Sequence, residues 1–306
     1  MSESIQEKIL SKIDDTTDLY KGAHNIRSNG ESVSRNTTMN ISIKSKKEKS
    51  GLDVIVAPNT KKQSVHVPVI VTDVNATDKV YNTFKVGDNS DVNIVAGCGI
   101  HNCTAQTTEH EGVHDVHVGK NCHVKYIEKH YAESDGKSQK IFNTTTVIEV
   151  GEDSTFEMDL VQIKGVDNSK KELTINLHKN AHLIVTERIF TDEDQVADSK
   201  VNINLKGEDS SAQIVSRSVA KDNSRQTFYF MMNGENKSRG HIECDSIIMG
   251  NARVTSIPAL DARCEDAELI HEAAIGKIAS EQLMKLMSLG LTEKEAEETI
   301  LKGFLK

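Results

Sequence analysis

The sequence predicts a mainly β protein built as a parallel β-helix or a closely related β-solenoid, with a short helix first and a two-helix hairpin last. A repeated turn motif in the middle of the chain is the first observation behind this prediction. The second is composition, because aromatic residues make up only 4% and Trp is absent. Short stacked strands suit such a chain better than a large aromatic-filled core.

The N-terminal segment, residues 1–50, is predicted to hold a helix followed by a polar leading stretch. Apolar residues at helical spacing lie within residues 3–19, namely Ile5, Ile9, Leu10 and Ile13. Gly22 suits the end of this short amphipathic helix. The following residues are polar, become strand-like over 38–43, and form a loop over the lysines of 44–49.

The repeat defines the central segment, residues 51–265, as the predicted β-helix core. Its copies begin with an apolar residue and a polar turn, and they occupy residues 86–92, 118–124, 150–156, 177–183 and 205–212. Each copy reads as a strand, a tight turn and a strand. Because one such unit cannot bury its apolar face alone, successive coils must stack and share a core.

The C-terminal segment, residues 266–306, changes to helical spacing. Two helices are indicated by Ser280, Leu283, Leu286, Met287 and Leu289, then by Thr292, Glu295, Ala296, Ile300 and Leu301. Gly290 separates them. Such a hairpin can cap the solenoid or bind a partner's groove, and these residues alone favour capping.

Charge and composition exclude several classes of function. The formal net charge of −9 repels phosphate backbones, and only the short run 44–49 is basic, so nucleic acid is not an expected partner. No long apolar stretch or secretory leader is visible, so we expect a soluble, cytoplasmic protein without a membrane partner. Five cysteines in such a chain favour free thiols or metal ligands over disulfides.

A first group of thiols and imidazoles lies between residues 98 and 130. It contains Cys98, His101, Cys103, His110, His114, His117, Cys122, His123 and His130. Such ligands suit zinc or iron, which leaves a β-helix metalloenzyme as one hypothesis. The Cys98 and Cys103 spacing is not that of a CxxC pair, and alternation along a strand would point these ligands to opposite faces.

A second group comprises Cys244, Cys264, His271 and Glu272. A thiolate, an imidazole and a carboxylate could serve a nucleophile or a metal. No Gly-rich nucleophile elbow accompanies them, which disfavours a hydrolase. Each cysteine could equally be a small buried apolar residue, while the acidic turn after Cys264 suggests exposure there.

The sequence from residue 241 to residue 304 resembles the C-terminal core of the SufB/SufD scaffold proteins of the SUF iron–sulfur assembly system. The motifs that carry this resemblance are Cys-Asp-Ser at 244–246, a Pro-containing strand, His-Glu-Ala at 271–273 and a two-helix ending with Gly-Phe-Leu. Weaker similarity reaches back to Asn-Cys-Thr-Ala at 102–105, which resembles Gly-Cys-Thr-Ala-Pro of SufB, and extends over residues 86–304.

The resemblance implies a right-handed β-helix and a short SufB-type scaffold, because SufD-like chains usually carry His-Gly where this chain has His271 and Glu272. It implies that Cys244 and Glu272, with His271 nearby, handle a transient iron–sulfur cluster. Cys103 would receive or relay sulfur, and Cys98 is a possible additional ligand. The alternative is a non-catalytic, SufD-like structural subunit.

Partners follow from the same resemblance. It implies a homodimer formed through the end of the β-helix and delivery of the cluster to apo iron–sulfur acceptor proteins. It also implies that a SufC-type ABC ATPase docks on the terminal hairpin, so partner binding replaces capping as the expected role of that hairpin. The sequence has no Walker A motif, so ATP would belong to that partner and this chain would not be an enzyme. Gln106 and the strand 125–131 depart from the SufB pattern around the proposed sulfur path, and no flavin signature is readable.

Overall fold

Two long parallel β-sheets face each other and enclose a continuous core in the computed structural model, which describes residues 4–14, 22–73, 76–102, 106–133 and 138–306. About seven coils form the solenoid. The strands are β1 Ala23–Ser28, β2 Glu31–Asn36, β3 Ile41–Ser45, β4 Leu52–Val56, β5 Lys61–His66, β6 Val69–Val71, β7 Thr77–Val86, β8 Asp91–Val95, β9 Cys98–His101, β10 Thr108–Val118, β11 His123–Glu133, β12 Lys140–Val150, β13 Thr155–Lys164, β14 Asn168–Leu177, β15 His182–Thr191, β16 Val196–Leu205, β17 Ser210–Ala220, β18 Arg225–Gly234, β19 Ser238–Ile248, β20 Arg253–Ala262 and β21 Ala267–Gly276. The helices are α1 Ile5–Ile13, α2 Ser280–Ser288 and α3 Glu293–Phe304.

The repeat seen in the sequence sets the register between neighbouring coils, because equivalent residues of successive copies pair with each other. Val118 pairs with Val86 on one side and with Val150 on the other. Leu177 pairs in the same column with Val150 and Leu205, so the shorter 27- and 28-residue intervals still place equivalent residues side by side. The predicted mainly β, parallel β-helix with helical segments at both ends is confirmed.

Turn chemistry explains why the motif carries Asn or Asp at a fixed position. Asn89, Asn121 and Asn180 have φ of 58°, 54° and 51°, in the left-handed region that small polar side chains tolerate. Their amides also join neighbouring coils, since Asn121 Nδ2 donates to Asn89 Oδ1 at 2.8 Å and Asn180 Nδ2 donates to Asp153 Oδ1 at 2.8 Å. A column of hydrogen-bonded turns therefore runs along the solenoid.

The ends of the solenoid differ. At the N-terminal end, α1 buries Ile9 and Ile13 against Ile70 and Tyr131, so this helix packs on the first coils. Two antiparallel hairpins, β1–β2 and β3–β4, flank the same end. Within the described residues, no helix has both the length and the apolar character needed to cross a membrane.

The C-terminal end leaves core-facing positions uncovered. Leu260 pairs with the buried Met232, and Ile275 pairs with the buried Ser246, so both belong to inward-facing columns. Each is nevertheless 42% exposed, because β20 and β21 are the edge strands of their sheets. The helices lie beside the coils, where Lys221 Nζ contacts Glu297 Oε1 at 3.1 Å.

The predicted division of the chain falls inside continuous sheet. Strand pairing crosses both boundaries, since β1 of segment 1–50 pairs with β5, and β21 of segment 266–306 pairs with β19. The terminal helices themselves begin at Ser280. The three segments remain a prediction about organisation.

Candidate functional site

Cys244 and His271 face the same interior at the C-terminal end of the solenoid. Along β19, Ile242, Cys244 and Ser246 alternate inward, and Cys244 is only 3% exposed. Ile242 pairs with His271 of β21, so the imidazole belongs to the adjacent inward column. Cys244 itself pairs with Ala273, so register places the thiol and the ring in neighbouring inward columns at the uncovered end.

The local environment keeps both groups uncharged at neutral pH. Burial raises the pKa of the Cys244 thiol to about 12, although a hydrogen bond with Ser256 acts in the opposite direction. Burial also lowers the pKa of His271, whose ring stacks on Phe230 at a centroid distance of 6.5 Å. Neither ring nitrogen of His271 has a hydrogen-bond partner among the described residues. A neutral imidazole and a thiol that loses its proton on metal binding are usable ligands for iron.

Glu272 lies on the other surface of the sheet. Its side chain is 67% exposed, and Oε2 lies 3.5 Å from His241 Nε2 on the outer face. Neighbouring residues of a strand point to opposite faces, so Glu272 cannot face Cys244 while His271 does. The structure thus joins two of the three predicted cluster residues and separates the third.

The other predicted sulfur and ligand positions lie elsewhere. Cys98 is buried in β9 in a small separate cluster with Val69 and Phe142, where burial raises its pKa well above the usual value. Five strand-to-strand steps separate β9 from β19, which corresponds to about 24 Å along the sheet. Cys98 and Cys244 therefore do not share a site within one chain. Cys103 lies outside the described residues.

The two remaining cysteines have ordinary surroundings. Cys122 is buried in a turn, and its Sγ lies 3.3 Å from the carbonyl oxygens of Gly87 and Lys120. Burial raises its pKa. Cys264 lies between β20 and β21 and is partly exposed, in keeping with the acidic turn that follows it.

The histidine-rich stretch is divided between two surfaces. His110, His114 and His130 point inward, whereas His117 and His123 are about half exposed on the outer face. Within the described part of the chain, no three His, Cys, Asp or Glu side chains are arranged to hold a metal ion. The alternation expected from the sequence does scatter these side chains, which weighs against the metalloenzyme hypothesis.

The inward members instead belong to a buried acid–base cluster. His110 Nδ1 lies 3.1 Å from Asp78 Oδ2, and His130 Nε2 lies 3.2 Å from Glu128 Oε1. Burial opposes ionisation of both carboxyls, but hydrogen bonds from these histidines lower the pKa of Asp78 and of Glu128 to about 2. Burial lowers the pKa of His114 to about 4.

A second polar group in the interior was not anticipated from the sequence. Lys171 contacts Glu187, and Glu187 also accepts hydrogen bonds from Ser199 at 3.2 Å and from Ser216 at 2.8 Å. Burial lowers the pKa of Lys171 to about 7. Glu187, Ser216 and Cys244 occupy successive positions of one inward column, so this polar group reaches the coil that holds the thiol. The sequence signal that could have indicated this group is the presence of polar residues at inward positions of otherwise apolar strands.

Comparison with known proteins supplies the family. A family model described as the SUF system FeS cluster assembly SufBD core domain matches residues 69–304. An iron–sulfur cluster assembly SufBD family protein of Methanocaldococcus jannaschii is 30% identical over 80% of this chain and 77% of its own length. Relatives with the same description come from Pyrococcus horikoshii, at 29% identity over 89% and 83%, and from Archaeoglobus fulgidus, at 31% over 74% and 60%.

The matched region contains the whole of the site at the uncovered end, from β19 to the terminal helices. The match covers more than half of the chain, and the parallel β-helix agrees with the resemblance seen in the sequence. This chain belongs to the SufBD family of the SUF iron–sulfur cluster assembly system.

Proposed function

We propose that this chain is a scaffold on which an iron–sulfur cluster is assembled and from which it is delivered to apo acceptor proteins. The observation that carries the proposal is the placement of Cys244 and His271 in neighbouring inward columns at the uncovered end of the solenoid. His271 offers two ring nitrogens without a hydrogen-bond partner among the described residues. The cluster is the cargo of this site.

The chemistry of the pair suits a cluster that must leave. A thiolate binds iron strongly, whereas an imidazole is a weaker and more exchangeable ligand. Among the described residues, one chain brings only two such groups to this end, so we propose that a second copy supplies the others through a homodimer. A two-fold axis at the uncovered end would bring two Cys244 and two His271 side chains towards one another.

Glu272 remains a proposed ligand that requires movement of β21. This strand is the edge of its sheet, where β19 is its neighbour among the described strands. A shift of register by one residue would turn Glu272 inward and His271 outward, while separation of the strand would expose Cys244. We propose that a SufC-type ABC ATPase drives such movement from the C-terminal helices, and that Cys103 receives the sulfur.

Access to Cys244 is the physical reason for invoking the ATPase. The thiol is buried and protonated at neutral pH, so it reacts poorly until its surroundings open. The exposed apolar side chains Met284, Met287 and Leu289 give α2 a surface for a partner to cover. ATP would be bound and hydrolysed by that partner.

The burial of Cys244 also supports a second candidate function. A SufD-like structural subunit would carry this cysteine as a core residue and would never expose it. The two proposals differ in a single measurable property, which is whether the chain and its ATPase hold a cluster.

Anaerobic reconstitution tests the proposal. The chain would be mixed with its ATPase, ferrous iron and sulfide, then desalted, and iron, acid-labile sulfide and visible absorption would be measured with and without ATP. We expect a reproducible cluster whose yield rises with ATP. Absence of iron and sulfide from the desalted complex under both conditions would support the structural subunit instead.

A further inference from the structure

A polar cavity lies at the N-terminal end of the solenoid, remote from Cys244. It occupies about 210 Å³ between the β1–β2 hairpin and the β3–β4 hairpin. This volume is about seven times that of a water molecule in the liquid, so the cavity has room for a small solute. The basic run 44–49, which the iron–sulfur role does not use, supplies part of its wall.

Four cationic side chains line this cavity, although the whole chain carries a net charge of −9. They are Arg27, Arg35, Lys46 and Lys49. Among the described residues that line it there is no carboxylate. Its charge is therefore opposite to that of the molecule around it.

Two of the four cations have their charge balanced. Arg27 forms an ion pair with Asp78, in which Arg27 Nη2 lies 2.7 Å from Asp78 Oδ1. Lys46 forms an ion pair with Asp53. These ion pairs fix the positions of the side chains on the cavity wall. Arg27 NH2 also donates to Ser50 Oγ at 2.8 Å, which ties the loop after β3 to the opposite hairpin.

The other two cations are held by uncharged groups. Arg35 donates from Nε to Asn25 Oδ1 at 2.7 Å and from NH2 to Ser45 Oγ at 2.9 Å. Lys49 Nζ lies 4.2 Å above the centre of the Tyr81 ring. Within the part of the chain that the structure describes, neither forms an ion pair, so about two positive charges remain uncompensated at the cavity.

The loop that presents Lys46 and Lys49 is built to hold this position. Gly51 has φ of 144°, and a Cβ there would lie 1.8 Å from the carbonyl oxygen of Tyr81, so only glycine permits the close approach. Backbone hydrogen bonds from Lys46 N to Gly51 O and from Tyr81 N to Ser50 O, both 2.9 Å, complete the turn. The cations are thus presented by a fixed loop.

We propose that this cavity is a binding site for the phosphoryl group of a small molecule. A phosphate monoester carries a charge of about −1.5 to −2 at pH 7, which matches the uncompensated charge of Arg35 and Lys49. A guanidinium fork and an ammonium are the groups that bind phosphate oxygens in proteins, and the hydroxyls of Ser45 and Ser50, which accept hydrogen bonds from the two arginines, add donors. The site is separate from the iron–sulfur role and does not depend on it.

Calorimetric titration of the full chain at low ionic strength tests the proposal. Inorganic phosphate, pyrophosphate and AMP would be the probes, with citrate as a carboxylate anion for comparison. We expect the phosphoryl compounds to bind more tightly than citrate, and tighter binding of AMP than of phosphate would identify an organic monoester as the source. Heat only from citrate, or equal affinity for all four anions, would overturn the assignment.

Paired variants separate the site from general electrostatic attraction. We expect the double variant Arg35→Gln, Lys49→Gln to weaken phosphoryl binding at least tenfold. The control double variant Lys179→Gln, Lys206→Gln removes two exposed charges elsewhere and should bind as the unmodified chain does. Equal weakening in both double variants would overturn the proposal. Circular dichroism would verify folding, and the single variant Lys49→Gln, which changes only an exposed side chain, should still weaken binding severalfold.

Discussion

Adjacent residues of one strand serve opposite surfaces in this molecule. His271 turns inward beside Cys244, whereas Glu272 lies outside beside His241. Sequence proximity made His271 and Glu272 look like one site, but the two-residue period of a strand separates them. The placement of Cys244 and His271 in neighbouring inward columns could not be predicted from spacing, because it depends on the register between β19 and β21.

The buried imidazole of His114 should make the stability of the protein depend on pH. Its pKa is about 4 in the folded chain, mainly because of burial, against 6.5 when unfolded. The unfolded state therefore binds the proton first as pH falls below 6.5, and stability is lost between pH 6.5 and 4. We expect the contribution of His114 to lower the free energy of unfolding by about 2 kcal/mol between pH 7.5 and pH 5.

Urea unfolding at pH 7.5 and pH 5 measures this effect. The variant His114→Leu should lose less stability between the two pH values than the unmodified chain. His117→Leu, which changes an exposed histidine of the same strand, is the matched control and should keep the original pH dependence. If His114→Leu and the unmodified chain lose stability equally, the assigned role of His114 is wrong.

Interior polar groups show the limit of prediction at the residue scale. Lys171 and Glu187 lie on different strands of different sheets, and only the closed coil brings them together. Each is a charged residue in a strand pattern, which by itself is typical of a solvent-facing position. Their contact requires the complete register of the solenoid.

At the scale of elements, the repeat predicted the architecture because each copy contains a turn and also fixes which residues pair between neighbouring coils. The equivalent residues Val86, Val118 and Val150 pair directly, so residues that repeat in the sequence lie side by side in neighbouring coils. The N-terminal hairpins were less accessible to prediction, since they lie outside the repeat and pair antiparallel. Their cavity forms only when both hairpins are in place.

The glycine of the repeat motif should be sensitive to substitution. A Cβ at Gly151 would lie 2.4 Å from the carbonyl oxygen of Gly119 in the neighbouring coil, and backbone cannot move aside cheaply. We expect Gly151→Ala to destabilise the protein by about 2–3 kcal/mol. Gly303 in α3 has nothing within 4 Å of such a Cβ, so Gly303→Ala should leave stability unchanged or raise it by up to about 1 kcal/mol.

Urea midpoints compare these two substitutions directly. We expect the same Gly→Ala change to have clearly unequal effects on stability at positions 151 and 303. Equal destabilisation would mean that close stacking of the turns does not explain the glycine in the motif.

The apolar face of α2 should carry the proposed ATPase contact. Met284 and Leu289 are 60% and 73% exposed, and α2 has no buried residue. We expect Met284→Asp with Leu289→Asp to reduce co-purification with the ATPase at least tenfold while the melting temperature stays within about 2 °C, because exposed positions contribute little to stability. Val33→Asp, an exposed apolar residue of the N-terminal hairpin, is the control and should retain the partner.

At the scale of the whole molecule, the two ends of the solenoid are chemically different. At the N-terminal end α1 packs against Ile70 and two antiparallel hairpins extend the sheets, while inward-facing Leu260 and Ile275 remain 42% exposed at the other end. Exposed core positions on two edge strands, each with one edge open, favour association with another chain. Which end stays uncovered could not be predicted from the repeat, because every internal coil looks alike.

The uncovered end should form the homodimer. We expect Leu260→Asp with Ile275→Asp to shift the chain from dimer to monomer in sedimentation experiments, because the charges would be buried without partners at the interface. Ile184→Asp alters an equally exposed apolar residue on the outer face and should leave the dimer intact. Dimer loss in the Ile184 variant alone would place the interface on the outer face of the sheet.

The most direct test of the cluster site is the iron and acid-labile sulfide content of the reconstituted complex in Cys244→Ser, with Cys122→Ser as the control for loss of a buried thiol. We expect Cys244→Ser to lose the cluster while still binding its ATPase, and Cys122→Ser to retain both. A full complement of iron and sulfide in Cys244→Ser would contradict the central claim that this thiol holds the cluster.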